Sequence, residues 1–85
     1  MKKRVCQKQL TLGKKIRDEA VRLKKQCGRR NDPCFAWARA AATVADYAID
    51  EAIWGARHEM GGSCKKAVQL NRRARKTLNK AKQHA

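Results

Sequence analysis

Residues 33–60 limit the possible folds of this chain more than any other segment. Polar side chains recur there on one narrow strip at helical spacing, and nearly every other position is apolar or alanine. No proline follows Pro33, so the segment can form one helix about 42 Å long, with more apolar surface than one neighbour can cover. We therefore expect a long, Ala-rich central helix packed between two flanking helices. The polar strip, which we name the mixed-charge strip, consists of Arg39, Thr43, Asp46, Asp50 and Arg57.

Turn-forming residues mark the expected helix ends. Gly28 suits the left-handed position that ends a helix. At Asp32–Pro33 the Asp oxygen can accept a free backbone N–H, and proline at the first helical position sacrifices no hydrogen bond. Gly61–Gly62 ends the central helix, and Ser63 can cap a third helix. The predicted helices are about 12–27, 33–60 and 64–83.

The two flanking helices each carry a single apolar stripe. The first stripe has spacings of 4, 4, 3 and 4 and is Leu12, Ile16, Ala20, Leu23 and Cys27. Thr11 before it is a plausible N-cap. The third helix has a thinner stripe of Cys64, Ala67, Leu70 or Asn71, Ala74, Leu78 and Ala81. Because the connections are short, we predict an all-α fold: a small up-down-up three-helix bundle that forms one basic domain over residues 1–85.

The four aromatic residues all lie in the central segment. They are Phe35, Trp37, Tyr47 and Trp54. A large apolar ring on the most apolar helix is usually buried. We therefore expect these rings in the core rather than on the surface as platforms for stacked bases.

The charge of the chain is strongly positive and unevenly distributed. It has 22 Lys and Arg against 7 Asp and Glu, a formal net charge of +15. Residues 1–32 carry twelve bases and three acids, residues 33–60 carry two bases and four acids, and residues 61–85 carry eight bases and no acid. An excess this large costs self-repulsion, which favours a polyanionic partner. Nucleic acid is the partner that we predict first.

The bases of the third helix, with part of the first, are the predicted contacts to nucleic acid. On the third helix they alternate with Asn and Gln, which hydrogen-bond to phosphates and base edges. On the first helix Asp18 and Glu19 can pair with Lys14, Lys15 and Arg22 and neutralise part of its field. We therefore predict mainly phosphate-backbone recognition of low sequence specificity. The predicted contacts are Lys65, Lys66, Arg72, Arg73, Arg75, Lys76, Lys80 and Lys82 on the third helix, and Lys14, Lys15, Lys24 and Lys25 on the first.

In composition and length the chain resembles the small basic three-helix proteins that brace ribosomal RNA, which also end in a long helix of Lys, Arg, Asn and Gln. The alternative is a regulator or inhibitor that docks its basic face on an acidic surface of a larger nucleic-acid enzyme, such as a polymerase or nuclease, as short phage-type proteins do. The mixed-charge strip distinguishes the two hypotheses. If the strip is exposed and flat, the hypothesis of a protein-binding regulator is favoured.

The four cysteines match no zinc-finger or C-x-x-C spacing. The predicted topology places Cys27 beside Cys34, and Cys6 near Cys64 at the other end of the bundle. Two disulfides are therefore possible, and the alternative is four reduced, buried thiols, as in most cytoplasmic proteins. Cys6, Cys64, His58 and Glu59 form only a weak candidate metal site, so we predict no metal and no other cofactor.

The sequence favours a cytoplasmic binding protein over an enzyme or a membrane protein. No apolar run follows the basic start, unlike a signal peptide. No segment approaches the roughly 20 apolar residues that span a bilayer, so we do not expect a membrane partner. His58 near Cys64 could serve as a base beside a nucleophile, but a Gly-Gly helix end offers no pocket. We therefore expect no catalytic activity and no small-molecule substrate.

Overall fold

The computed structural model describes residues 2–28, 32–58 and 61–84, with side chains at 7–28, 32–53 and 64–84. It contains the helices α1 (Lys2–Cys27), α2 (Pro33–His58) and α3 (Gly61–His84). No strand occurs within these ranges. The prediction of an all-α three-helix bundle is confirmed.

Contacts between the helices define their directions. Arg17 of α1 lies 3.5 Å from Asp46 of α2, while Lys24, further along α1, lies over Phe35 near the start of α2. These helices are therefore antiparallel. α2 and α3 are antiparallel too, because Trp37 near the start of α2 contacts Lys80 near the end of α3, whereas Glu51 lines a groove with Lys66 near the start of α3. Gln9 of α1 meets Asn71 of α3, and Glu19 meets Lys82, so α1 and α3 are parallel. The bundle is up-down-up, with Cα extents of 41 × 16 × 14 Å.

Alanine forms most of the core. On α2 the fully buried positions recur at spacings of three and four residues, and all are alanine. Two of them, Ala41 and Ala45, form one cluster with Ile16 and Ala20 of α1 and with Ala74 and Leu78 of α3, which are also fully buried. Small side chains let neighbouring helices pack at short interaxial distances. As expected, α2 packs extensively against both flanking helices, whereas α1 and α3 make fewer contacts with each other. The fully buried alanines of α2 are Ala38, Ala41, Ala45, Ala48 and Ala52.

The prediction that the aromatic rings lie in the core is wrong for the described rings. Trp37 is 37% exposed and Tyr47 is 59% exposed, and Phe35 is half-buried. The reason is steric, because closely packed layers of alanine leave no room for a ring between the helices. The rings therefore lie on α2 at the margins of its contact with the neighbouring helices. The Nζ of Lys80 lies 5.2 Å from the centre of the Trp37 ring. The side chain of Trp54 lies outside the described residues.

Two of the turn signals act as expected. Gly28 has a φ of +80°, and its N–H donates to the carbonyl oxygen of Lys24, which caps the end of α1. α2 begins at Pro33, as expected. The backbone carbonyl oxygen of Asp32 accepts from the N–H of Ala36, which is the first hydrogen bond of the helix itself, so the cap by the Asp32 side chain stays a prediction.

Other helix ends differ from the predicted ones. α1 begins at Lys2, well before residue 12, because residues 2–11 contain no glycine or proline and are rich in helix formers. Thr11 is therefore inside the helix, where its hydroxyl donates to the carbonyl oxygen of Gln7 at 3.1 Å instead of capping. α3 begins at Gly61 rather than residue 64, and α2 ends at His58. The side chain of Ser63, the predicted cap, lies outside the described residues.

A close contact between all three helices centres on Gly13 and Asn71. Asn71 is 2% exposed, and its Nδ2 donates to both the carbonyl and the side-chain oxygen of Gln9, at 3.0 and 2.8 Å. Its Oδ1 has no hydrogen-bond partner among the described residues. A Cβ on Gly13 would lie 2.9 Å from Cγ1 of Ile49 and 3.3 Å from this oxygen. Glycine is therefore required for the observed approach of α1.

Cys27 and Cys34 form a disulfide that joins the end of α1 to the start of α2, with their Cα atoms 5.7 Å apart. Cys64 is also disulfide-bonded, and its predicted partner Cys6 has a side chain outside the described residues. Structural disulfides are rare in the reducing cytosol. The disulfides at Cys27–Cys34 and Cys64 therefore do not favour a cytoplasmic location. The cytoplasmic location stays a prediction.

We predict that Gly13→Ala lowers the free energy of unfolding by about 1 kcal/mol, because overpacking outweighs the gain in helix propensity. Urea denaturation of both proteins measures the difference. In an Ile49→Ala background, which lacks the crowded atom, the same substitution should be neutral or stabilising. If Gly13→Ala stabilises the protein in both backgrounds, the close approach of α1 is wrong.

We predict that Cys27→Ala combined with Cys34→Ala lowers the free energy of unfolding by about 2 kcal/mol, because the unfolded chain loses a short covalent loop. Urea denaturation without reductant measures this loss while the disulfide of Cys64 stays in place. Alkylation of the unfolded wild type before any reduction is the control. If both thiols react at that stage, the disulfide is absent.

Candidate nucleic-acid interface

The outward side of α3 is a continuous basic surface. Its inward side is the stripe of buried residues at 64, 67, 71, 74, 78 and 81, and the other described side chains of the helix are exposed or half-buried. Six of its eight bases are exposed and have no salt bridge to a described acid. We name this set the α3 basic arc, and it consists of Lys65, Lys66, Arg72, Arg73, Lys76 and Lys80.

Arg75 and Lys82, the other two bases of α3, pair with Glu19 of α1. The Glu19 carboxylate lies 4.0 Å from Arg75 and accepts a hydrogen bond from Lys82 at 3.4 Å. Sequence spacing suggested that Glu19 pairs within α1, but the parallel packing of α1 and α3 places it between these two cations instead. The three side chains are partly exposed, so each pair contributes at most about 1 kcal/mol. Glu19 thus neutralises one edge of α3 and leaves the arc charged.

The predicted bases of α1 do not gather on one surface. Lys14, Lys15 and Lys25 are exposed, whereas Lys24 is half-buried and points toward α2, with its Nζ 5.9 Å from the centre of Phe35. Lys15 lies one turn before Glu19, which places it on the side of α1 that faces α3. Lys14 and Lys25 lie elsewhere on α1. Only Lys15 of these four therefore extends the basic surface of α3.

Arg22 is a basic residue that the predicted contact set omitted. It is exposed and follows Glu19 by three residues, so it lies on the α3 side of α1. Spacing within α1 suggested that acids of the same helix neutralise it. Because Glu19 pairs with α3, Arg22 has no salt bridge to a described acid.

The mixed-charge strip is exposed at its four described members, Arg39, Thr43, Asp46 and Asp50. Arg17 of α1 reaches its edge and lies 3.5 Å from Asp46 and 3.7 Å from Asp18. Arg57, the fifth member, has a side chain outside the described residues. The strip therefore lies on the outer face of α2, away from the core.

A groove between α2 and α3 adds a feature that sequence reasoning missed. It has a volume of about 680 Å³ and lies between Tyr47 and Glu51 on one side and Lys66 and Arg73 on the other. Exposed aromatic rings were not expected, so nothing in the spacing of the apolar residues indicated this groove. The one available signal was the large number of alanines in the sequence of α2, because a core of alanines leaves little room for rings.

The described residues contain no group of three His, Cys, Asp or Glu side chains that could hold a metal ion. Most of the weak metal candidate, at Cys6, His58 and Glu59, lies outside the described side chains, as does the His58 considered for catalysis. None of the described helices combines the length and the hydropathy that a membrane crossing needs.

No protein-family model matches this chain, and comparison with curated proteins and with solved structures gives no significant match.

Proposed function

We propose that this protein binds nucleic acid, mainly through contacts to the phosphate backbone. The observation that carries the proposal is the α3 basic arc, whose six exposed basic residues have no salt bridge to a described acid. From Lys65 to Lys80 the arc extends about 22 Å along the helix axis. Lys15 and Arg22 of α1 extend it sideways.

Counterion release supplies most of the binding free energy in this proposal. Each phosphate that a Lys or Arg side chain neutralises releases condensed cations from the nucleic acid. Six contacts to a duplex give a slope of about −5 in a plot of log affinity against log salt concentration. Contacts of this kind do not read base identity, so we expect little sequence specificity.

The shape of the bundle also favours backbone contacts. Its Cα atoms extend over 16 × 14 Å in cross-section, already wider than the major groove of about 12 Å before side chains are added. Because α1 and α2 cover the inner side of α3, only its outward, basic side is available to contact a nucleic acid. We expect α3 to lie against the phosphates at the rim.

We predict that combined Lys65→Ala, Arg72→Ala and Lys76→Ala substitutions reduce the affinity for a short random-sequence duplex roughly 100-fold at about 0.1 M salt. The salt slope should become less steep by about 3, because three phosphate contacts are lost. Fluorescence anisotropy across a salt series measures both quantities. The three side chains are exposed, so the fold should not change.

The matched control removes the same charge from other surfaces, through Lys14→Ala, Lys25→Ala and Arg39→Ala. Its affinity should change by less than about threefold, because exposed charges beyond roughly 10 Å are screened at this salt concentration. Equal losses in the two variants would indicate attraction by net charge alone. No binding of the wild type at low salt would refute the proposal.

The second candidate is the regulator that docks on an acidic protein surface. The exposure of Arg39, Asp46 and Asp50 favours it, because a mixed-charge surface on α2 suits a specific protein contact. This candidate predicts weak nucleic-acid binding that does not depend on the α3 basic arc. The triple variant and its control therefore separate the two functions.

A further inference from the structure

The side of the bundle formed by α2 and α3 presents two aromatic rings to solvent. Tyr47 is 59% exposed and Trp37 is 37% exposed. They are ten residues apart on α2, which separates them by about 15 Å along the helix. Both lie beside α3, since Tyr47 lines the groove with residues of α3 and Lys80 sits over Trp37.

Three basic residues of α3 lie along the same side of the bundle at seven-residue intervals. They are Lys66, Arg73 and Lys80, and each interval is two helical turns, or about 10 Å. Lys66 and Arg73 line the groove with Tyr47, and the Nζ of Lys80 lies 5.2 Å from the centre of Trp37. Cations and exposed rings therefore alternate along one side. Proteins that bind single-stranded nucleic acid combine these two features.

The groove beside Tyr47 has the size and the polar groups of a site for a nucleobase. Its volume of about 680 Å³ lies within the usual range of small-ligand sites. Asp50 and Glu51 line it together with the two cations, yet neither carboxylate has a salt bridge to a Lys, Arg or His side chain among the described residues. Both can therefore accept hydrogen bonds from a ligand, as carboxylates do from the amino group of cytosine.

The two carboxylates also determine which part of a nucleotide faces them. They repel phosphate, so the phosphates must lie toward Lys66 and Arg73 on α3 and the base edge toward α2. A base in a duplex cannot occupy this position, because its faces are stacked and its edge is paired. Unpaired bases have both a free face and a free edge.

We infer that this groove binds an unpaired, amino-bearing base of a single strand. The base stacks on Tyr47, its amino group donates to Asp50 or Glu51, and the adjacent phosphates contact Lys66 and Arg73. Lys80, whose Nζ lies over the Trp37 ring, contacts a phosphate further along the strand. This inference rests on the proposed function and extends it from phosphate contacts to a class of substrate.

The test compares Tyr47→Leu with Tyr47→Phe, which keeps the ring. We expect Tyr47→Leu to weaken binding to a cytidine oligoribonucleotide about 5- to 100-fold, without changing the salt slope, because no phosphate contact is lost. Tyr47→Phe should bind within about twofold of the wild type, since the stacking face remains. Binding of both variants to a duplex should match the wild type.

A second measurement addresses the base edge. The wild type should bind the cytidine oligomer more tightly than a uridine oligomer of equal length, and Asp50→Ala with Glu51→Ala should bring the ratio of affinities close to 1. If Tyr47→Leu binds the single strand like the wild type, or if the ratio is unchanged in the double variant, the base site is wrong although phosphate binding to the duplex persists. If the wild type binds neither duplex nor single strand at low salt, the proposed function itself fails.

Discussion

Close packing of alanine on α2 against both neighbouring helices determines the rest of this structure. Ala41 and Ala45 are fully buried between α1 and α3, and the glycine at position 13 allows α1 to come close beside them. A core this thin has no space for aromatic rings, which therefore lie at the edges of α2. The cations of α3 extend into solvent because burying an unpaired charge is costly. The small core residues therefore determine where the rings lie, and the cost of burying charge determines where the cations lie.

Two polar contacts align α1 with α3, where apolar contact is least extensive. Asn71 donates two hydrogen bonds to Gln9 in a buried position, and Glu19 lies between Arg75 and Lys82. A buried polar group is costly unless its partner is present. Sliding α1 by one turn would separate Asn71 from Gln9 and leave its amide unpaired. These contacts therefore favour one parallel register of the two helices.

The sequence predicted the helical class, the order of the helices and their directions, because apolar spacing and turn residues are local signals. It also indicated that α2 lies between the other two helices, since its apolar surface is too wide for one neighbour. It failed at Trp37 and Tyr47, because the hydrophobicity of a ring does not reveal whether the core has room for it. The salt-bridge partners of Glu19 could not be predicted either, since they depend on the register between α1 and α3, which are distant in sequence. The groove beside Tyr47 was missed for the first of these reasons, because Tyr47 was expected in the core.

The proposed binding of nucleic acid depends on the cations of α3 being placed outward on a rigid support. Selective acetylation of lysines, read by mass spectrometry with and without a short duplex, tests this placement directly. The nucleic acid should protect Lys65, Lys66, Lys76 and Lys80, whereas Lys14 and Lys25 on α1 should react at unchanged rates. Equal protection of all these lysines, or protection of Lys14 and Lys25 alone, would contradict a binding surface on α3.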